Sequence, residues 1–221
     1  MKIFVELDDF CDVYADSFRR LLMDILRVYP GFKATLFAVP GLTKKNVLRS
    51  FWEEYPCLRF AVHGTRHQNS EEWMCGYPQA LRMVKEFGRA REDGSSKFLP
   101  LFRAGFKAPW LRLSPEAAQA LWEYGYWIAG GCKEGKLSGG PVFNYQAGKE
   151  IVKGILYERD DAFVWHGHVQ APGIRPPWAD CNPALESGSG GIAEILGMFL
   201  NRFDKDSEFG YIEELVTKCP D

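Results

Sequence analysis

The chain contains four histidines, and all four fall in two short pairs, His63-Gly64-Thr65-Arg66-His67 and His166-Gly167-His168. Each pair follows an apolar run of strand-like composition. An i, i+4 spacing can bring two imidazoles onto one face within reach of a single ion, and residues i and i+2 of a strand share a face as well. A third polar cluster, Asp8-Asp9, closes the apolar run that begins at Lys2. Adjacent carboxylates at the end of such a strand are costly to bury without a partner. Two histidines and one carboxylate form a ligand set that zinc takes while leaving positions for water and substrate. Taken singly, each cluster has a bland explanation: an Asp pair caps helices and turns, and paired histidines are often satisfied polar residues. The collection of every histidine at the ends of two expected strands favours metal ligation or proton transfer. A fourth cluster is Phe106-Lys107-Ala108-Pro109-Trp110. Its lysine could hold a catalytic carboxylate in the ionised form, and Trp110 could line a cleft, although a solvated charge explains Lys107 equally well.

The elements around these clusters decide whether they can meet. Residues 2–7 read as a strand, and Phe18, Leu21, Leu22, Ile25, Leu26 and Tyr29 recur at helical spacing over 15–29. Pro30-Gly31 stops that helix. A strand over 33–39 follows, then a helix capped by Thr43, a strand over 58–62 and a helix over 77–92. Residues 101–106 read as the fourth strand. Ser114-Pro115-Glu116 opens a helix that ends at Gly125, and 126–129 read as the fifth strand. Residues 151–157 and 162–165 are further strand candidates, and Ile192, Ile195, Leu196, Phe199 and Leu200 mark a last helix. The segments 130–148 and 170–191, rich in Gly and Pro, read as long loops. Such β-α alternation implies a mainly parallel sheet covered by helices, as a barrel or an open sheet, with catalytic residues at the C-terminal strand ends. All four polar clusters lie at such ends.

Composition narrows the classes. The chain has 221 residues, 46% apolar, and a formal charge of -2, which suits one domain over 1–221 and gives no basic excess for nucleic acid or an anionic membrane. No window is long and apolar enough to span a bilayer, and the acidic start does not resemble a secretion signal, so a cytoplasmic location is expected. The six cysteines, Cys11, Cys57, Cys75, Cys132, Cys181 and Cys219, form no C-x-x-C pair and read as free thiols. Oligomeric state is not legible.

Taken in order, Leu7-Asp8-Asp9, Lys33-Ala34-Thr35-Leu36-Phe37, His63 to His67, Lys107-Ala108-Pro109-Trp110 and Trp165-His166 resemble the motifs of the polysaccharide deacetylase family, the NodB-like carbohydrate esterases. The stretch from Leu113 to Tyr126 is similar to the helix and strand that follow in that family, so the resemblance spans nearly the whole chain. It implies an α/β fold, an irregular (β/α) barrel of about seven strands. It implies one divalent metal ion on Asp9, His63 and His67, zinc first, with nickel, cobalt or manganese able to take its place. Asp8 would be the general base, His166 the general acid with His168 as the second candidate, and Lys107 would stand where the family has an arginine that orients the base. The implied reaction removes an acetyl group from an N- or O-acetylated carbohydrate, with a small-molecule or oligosaccharide substrate. Distant relatives with this barrel cleave small linear or cyclic amides and imides, and a catalytically degenerate glycan-binding domain is the third reading.

Three departures from the family pattern carry expectations of their own. Phe10 replaces a glycine and should crowd the cleft. Lys107 cannot grip a carboxylate with a fork as arginine does. An Asp-rich segment bearing a groove tryptophan is missing. The loops 130–148 and 170–191 carry Tyr145, Arg175 and Trp178, and Trp178 with Trp110 would then bind the substrate in a cleft closed over a short or small molecule.

Overall fold

The structure is a computed structural model, which describes residues 2–69, 72–88, 102–130, 139–144, 149–151, 154–159, 162–169, 196–197 and 199–216. In chain order the elements are β1 (Lys2–Phe10), α1 (Ala15–Val28), β2 (Ala34–Ala38), α2 (Lys45–Glu54), β3 (Leu58–His63), α3 (Tyr77–Gly88), β4 (Phe102–Lys107), α4 (Pro115–Glu123) and β5 (Trp127–Gly130). Five further strands follow: β6 (Val142–Asn144), β7 (Lys149–Ile151), β8 (Gly154–Arg159), β9 (Ala162–His168) and β10 (Glu208–Gly210). One sheet runs β6-β5-β4-β3-β2-β1-β9-β8-β7, with β10 paired to β1. Seven of these strands, in the order β6-β5-β4-β3-β2-β1-β9, are mutually parallel and curl into a half-barrel with helices outside, as expected for the irregular barrel. The expected strand over 151–157 is β8, antiparallel to β9, while β7 and the parallel β10 extend the sheet beyond the expected strands and β6 forms within the segment read as a loop.

Period-two alternation splits the strand side chains into two layers. Ile3, Val5 and Leu7 of β1 join the main core with Phe18, Leu21, Leu22 and Ile25 of α1. Phe4 points to the other side, where Phe37, Ala61, Ala129, Ala162 and Val164 form a smaller apolar cluster inside the curl. That inner cluster fills the N-terminal end of the strands. Polar side chains occupy the same face two and four residues further along, at the C-terminal ends: Glu6 and Asp8 beyond Phe4, and His166 and His168 beyond Val164. Small inner residues such as Ala61 and Ala129 leave room there for long ones, Lys107 and the histidines.

Helix boundaries follow local chemistry. Ser114 Oγ accepts from the Ala117 amide at 3.1 Å, and Pro115 sits in the first turn, so α4 begins as expected. Thr43 does not cap α2: its hydroxyl donates to the carbonyls of Val39 and Phe10, at 2.8 and 3.2 Å, and α2 begins two residues later. Thr43 thus binds the exits of β1 and β2 together, a partner that local sequence does not reveal. Residues 196–197 and 199–200 are helical, and Leu196, Phe199 and Leu200 are buried in the main core. No helix among the described residues is long and apolar enough to cross a membrane.

Candidate active site

Four strands bring the polar clusters together by register. Glu6 of β1 lies opposite His166 of β9, Asp8 lies opposite His168, and His63 of β3 lies opposite Lys107 of β4. Alternation alone would turn Asp9 away from Asp8. It does not, because Asp9 adopts φ 69 and the β1–β2 register shifts between Leu7 and Phe10. A non-glycine residue in the left-handed region at a bulge re-aims a side chain at the cost of some backbone strain. Both carboxylates therefore enter the same buried site, 3% and 2% exposed. The same bulge sends Phe10 outward into the main core, edge-on to Phe18, Phe51 and Phe60. Phe10 does not crowd the cleft; the expectation fails because it assumed an uninterrupted strand.

Asp9, His63 and His67 form one buried group whose ligand atoms all lie within 4.8 Å of one another. Asp9 Oδ1 is 3.3 Å from His63 Nε2 and 3.1 Å from His67 Nε2. His63 Nδ1 lies 3.1 Å from the Lys107 carbonyl, which takes its proton and leaves Nε2 to face an ion. Burial alone would raise the Asp9 carboxyl, but hydrogen bonds from His63 and His67 hold it well below the usual range. Burial would lower His63, and the neighbouring charges of Asp8 and Asp9 raise it instead. A carboxylate and two imidazoles converging, with the outer nitrogen of His63 held by a backbone carbonyl, fit a divalent cation of the zinc type.

The loop that delivers His67 is built for a tight fold. Gly64 has φ 59 and His67 φ 55. A Cβ on Gly64 would lie 2.6 Å from Pro109 Cγ, so only glycine fits between β3 and the segment after β4. Glu72 then gathers the loop backbone: Oε1 accepts from the amides of Thr65 and Arg66, the latter at 3.1 Å, and Oε2 accepts from Gln68 at 3.3 Å. Trp73 Nε1 also donates to Glu72, at 3.2 Å. The Trp110 ring lies 4.6 Å from that of His67, centroid to centroid, and so borders the group of Asp9, His63 and His67.

Beside this group stands a second cluster centred on Lys107, which is 1% exposed. Its Nζ donates to Glu6 Oε1, lies 2.8 Å from Asp8 Oδ2 and sits 5.4 Å from the Phe37 ring centre. Glu6 Oε1 is also 2.8 Å from His166 Nδ1. Burial would push Glu6 up, but the Lys107 charge and the His166 hydrogen bond bring it down to about 2. Burial would lower Lys107, and Asp8 and Glu6 raise it. Both partners are therefore charged. Lys107 has no fork, and it touches two carboxylates at once.

Sequence reasoning placed Asp8, Asp9, His63, His67, Lys107, His166, His168 and Trp110 in the site, and the structure brings all of them together. Trp178, Tyr145 and Arg175 lie outside the described residues, as does most of the two loops proposed to close the cleft. Glu6, Glu72 and Trp127 were missed. Glu6 carried a signal, being an acidic residue inside an apolar strand on the face of Asp8. Trp127 had none: its ring covers Gly105, whose Cβ would sit 2.2 Å from Trp127 Cζ2, and it meets Phe37 inside the curl.

No protein-family model and no curated protein matches the chain. Solved structures do. A family 4 acetyl xylan esterase from Clostridium thermocellum, in complex with a cobalt ion, is 14% identical, with a TM-score of 0.51 over 97% of this chain and 90% of that one. A family 4 carbohydrate esterase from Streptomyces lividans, in complex with acetate, is 14% identical, with a TM-score of 0.52 over 100% of this chain and 98% of that one. A CE4-family pseudoenzyme from Bacillus anthracis is 13% identical, with a TM-score of 0.50 over 97% of this chain and 64% of that one. At these identities the likeness is one of fold.

Proposed function

We propose that this chain is a metal-dependent deacetylase acting on an N- or O-acetylated carbohydrate. The observation that carries the reading is a single buried face holding a two-histidine, one-carboxylate group beside a carboxylate and an imidazole, each with its own buried partner. The fold is that of family 4 carbohydrate esterases, among them an acetyl xylan esterase, and their bound cobalt and acetate agree with this chemistry.

A divalent ion held by Asp9, His63 and His67 would acidify water and polarise an acyl carbonyl. Asp8 acts as the base: Lys107 fixes Oδ2, and Oδ1, buried and without a hydrogen-bond partner among the described residues, accepts the proton of the attacking water. The water oxygen bonds to the acyl carbon and the C–N or C–O bond breaks. His166, with Nδ1 on Glu6, gives a proton from Nε2 to the departing amine or alcohol. With His166 protonated, two cations, Lys107 and His166, face two carboxylates, Glu6 and Asp8. Once the proton has left His166 and Asp8 has gained one, Glu6 and Lys107 still balance, so a buried site begins and ends the cycle neutral. Trp110, whose ring lies against His67, offers a stacking surface for a sugar ring.

A cytoplasmic setting agrees with the free thiols Cys11, Cys57 and Cys75, of which burial pushes Cys11 up to about 12 and Cys57 to about 11. The deciding experiment measures acetate release from N-acetylated oligosaccharides and acetylated xylan, with metal content determined on the same sample. Acetate released at about one ion per chain is the expected result. A fully metallated protein that releases none from sugars, yet opens a small amide or imide, would replace the carbohydrate reading.

A further inference from the structure

The groups assigned above as base and acid also form a second ligand set. Asp8, His166 and His168 each offer a ligand atom, all within 4.8 Å of one another. They lie on two adjacent strands in register, Asp8 opposite His168 and Glu6 opposite His166. Three features distinguish this group from a chance cluster. Asp8 is 3% exposed, and its Oδ1 has no hydrogen-bond partner among the described residues, although Oδ2 is held by Lys107 at 2.8 Å. His166 has Nδ1 on the carboxylate of Glu6 at 2.8 Å, the arrangement in which a metal-bound imidazole keeps Nε2 for the ion. His168 is exposed and leaves the group open to solvent, so an ion has a way in.

Lys107 is the obvious obstacle, since its ammonium lies 3.0 Å from His166 Nδ1. It does not cancel the site. Glu6 and Asp8 together outweigh it by one negative charge when the imidazoles are neutral. The ammonium contacts Oδ2 of Asp8 and Nδ1 of His166, and the ion would take the other oxygen and the other nitrogen. Its charge does make this group weaker than Asp9, His63 and His67, as does an ion already held next door.

We infer that Asp8, His166 and His168 bind a second divalent cation, more weakly than the first, and that this ion shuts the site down. The binding claim stands on geometry alone; the inhibition rests on the reading of Asp8 as base and His166 as acid, because the second ion would occupy the proton-accepting oxygen and the proton-donating nitrogen.

Cobalt(II) titrated into the metal-free full chain tests this, with bound metal counted by equilibrium dialysis and coordination followed by visible absorption. The expected count is about two ions per chain, filled in two separable steps, without the intense near-ultraviolet band of cobalt–thiolate bonds. His168→Ala and His168→Asn should both lose the second equivalent and keep the first, whereas His67→Ala should lose the tight one. Acetate release should rise with the first equivalent and fall with the second. A wild-type chain that saturates at one ion, a second equivalent that survives both His168 substitutions, or one carrying the thiolate band overturns the inference. A second equivalent that binds as predicted in a protein releasing no acetate at any loading leaves the site standing and removes the deacetylase reading.

Discussion

Glu6 Oε1 lies 2.8 Å from His166 Nδ1, and the two residues are direct register partners across β1 and β9. A carboxylate so placed fixes which ring nitrogen carries the proton and holds the imidazole plane by the sheet itself rather than by a loop. The carboxylate comes from the first strand of the sheet.

The Glu6 contribution to stability should depend on pH with a defined sign. Its carboxyl falls from an ordinary 4.5 to about 2 in the fold, so the stabilisation is complete above pH 4.5 and is lost as pH falls toward 2. The linked free energy is about 3 kcal/mol for a shift of that size. Urea midpoints should drop steeply between pH 4.5 and pH 2 in the wild type and less in Glu6→Gln. Identical slopes for both proteins would place the acid sensitivity elsewhere.

Asp9→Ala, His63→Ala and His67→Ala should each lose the tightly bound ion, measured by elemental analysis after gel filtration. An ion present at about 1,000 times its dissociation constant stabilises by about 4 kcal/mol, so chelation should lower Tm in the wild type and leave the three variants unmoved. Retention of the metal in His67→Ala would remove it from the ligand set.

Asp8→Asn should keep the first ion and lose activity by about 10²- to 10⁴-fold, the usual worth of a general base. Lys107→Met should be worse in a different way. It leaves Glu6 and Asp8 buried without their cation, a loss of about 3–5 kcal/mol visible in unfolding curves before any assay is run. A stable Lys107→Met protein would show that water can replace the ammonium.

Glu72→Gln should weaken metal affinity by about tenfold, read by chelator competition, with little change in the Tm of the metal-free protein. The carboxylate holds the amides of Thr65, Arg66 and Gln68 on either side of His67 and little of the core, so its loss loosens His67 rather than the fold. Unchanged affinity would mean that the positive-φ backbone alone fixes the loop.

Much of this site is legible in the sequence because its ligands end strands. Apolar runs stopping at Asp8-Asp9, His63 and His166 locate the C-terminal rim of the sheet, and residue type then indicates chemistry. What stays hidden depends on backbone conformation or on distant partners. Nothing local announces that Asp9 takes a positive φ, and that one dihedral decides both its own direction and that of Phe10. Glu72 acts only after the chain folds back on Thr65 and Arg66. Thr43 reads as a helix cap until Phe10 and Val39 are brought to its hydroxyl. The short β7 and β10 carry too few residues for a period to show.

The pairing of β1 has a consequence for how the chain is made. β1 leaves the ribosome before the other described strands, yet two of its three neighbours, β9 and β10, emerge after all the rest of them. For most of synthesis the segment bearing Glu6, Asp8 and Asp9 can pair only with β2, leaving its other edge unpaired and apolar side chains uncovered. Closing so long a span late makes folding slow and gives neighbouring nascent chains an edge to add to. Two carboxylates in that edge keep it charged until His166 and Lys107 arrive, so the groups that serve the chemistry also guard the unfinished chain against self-association.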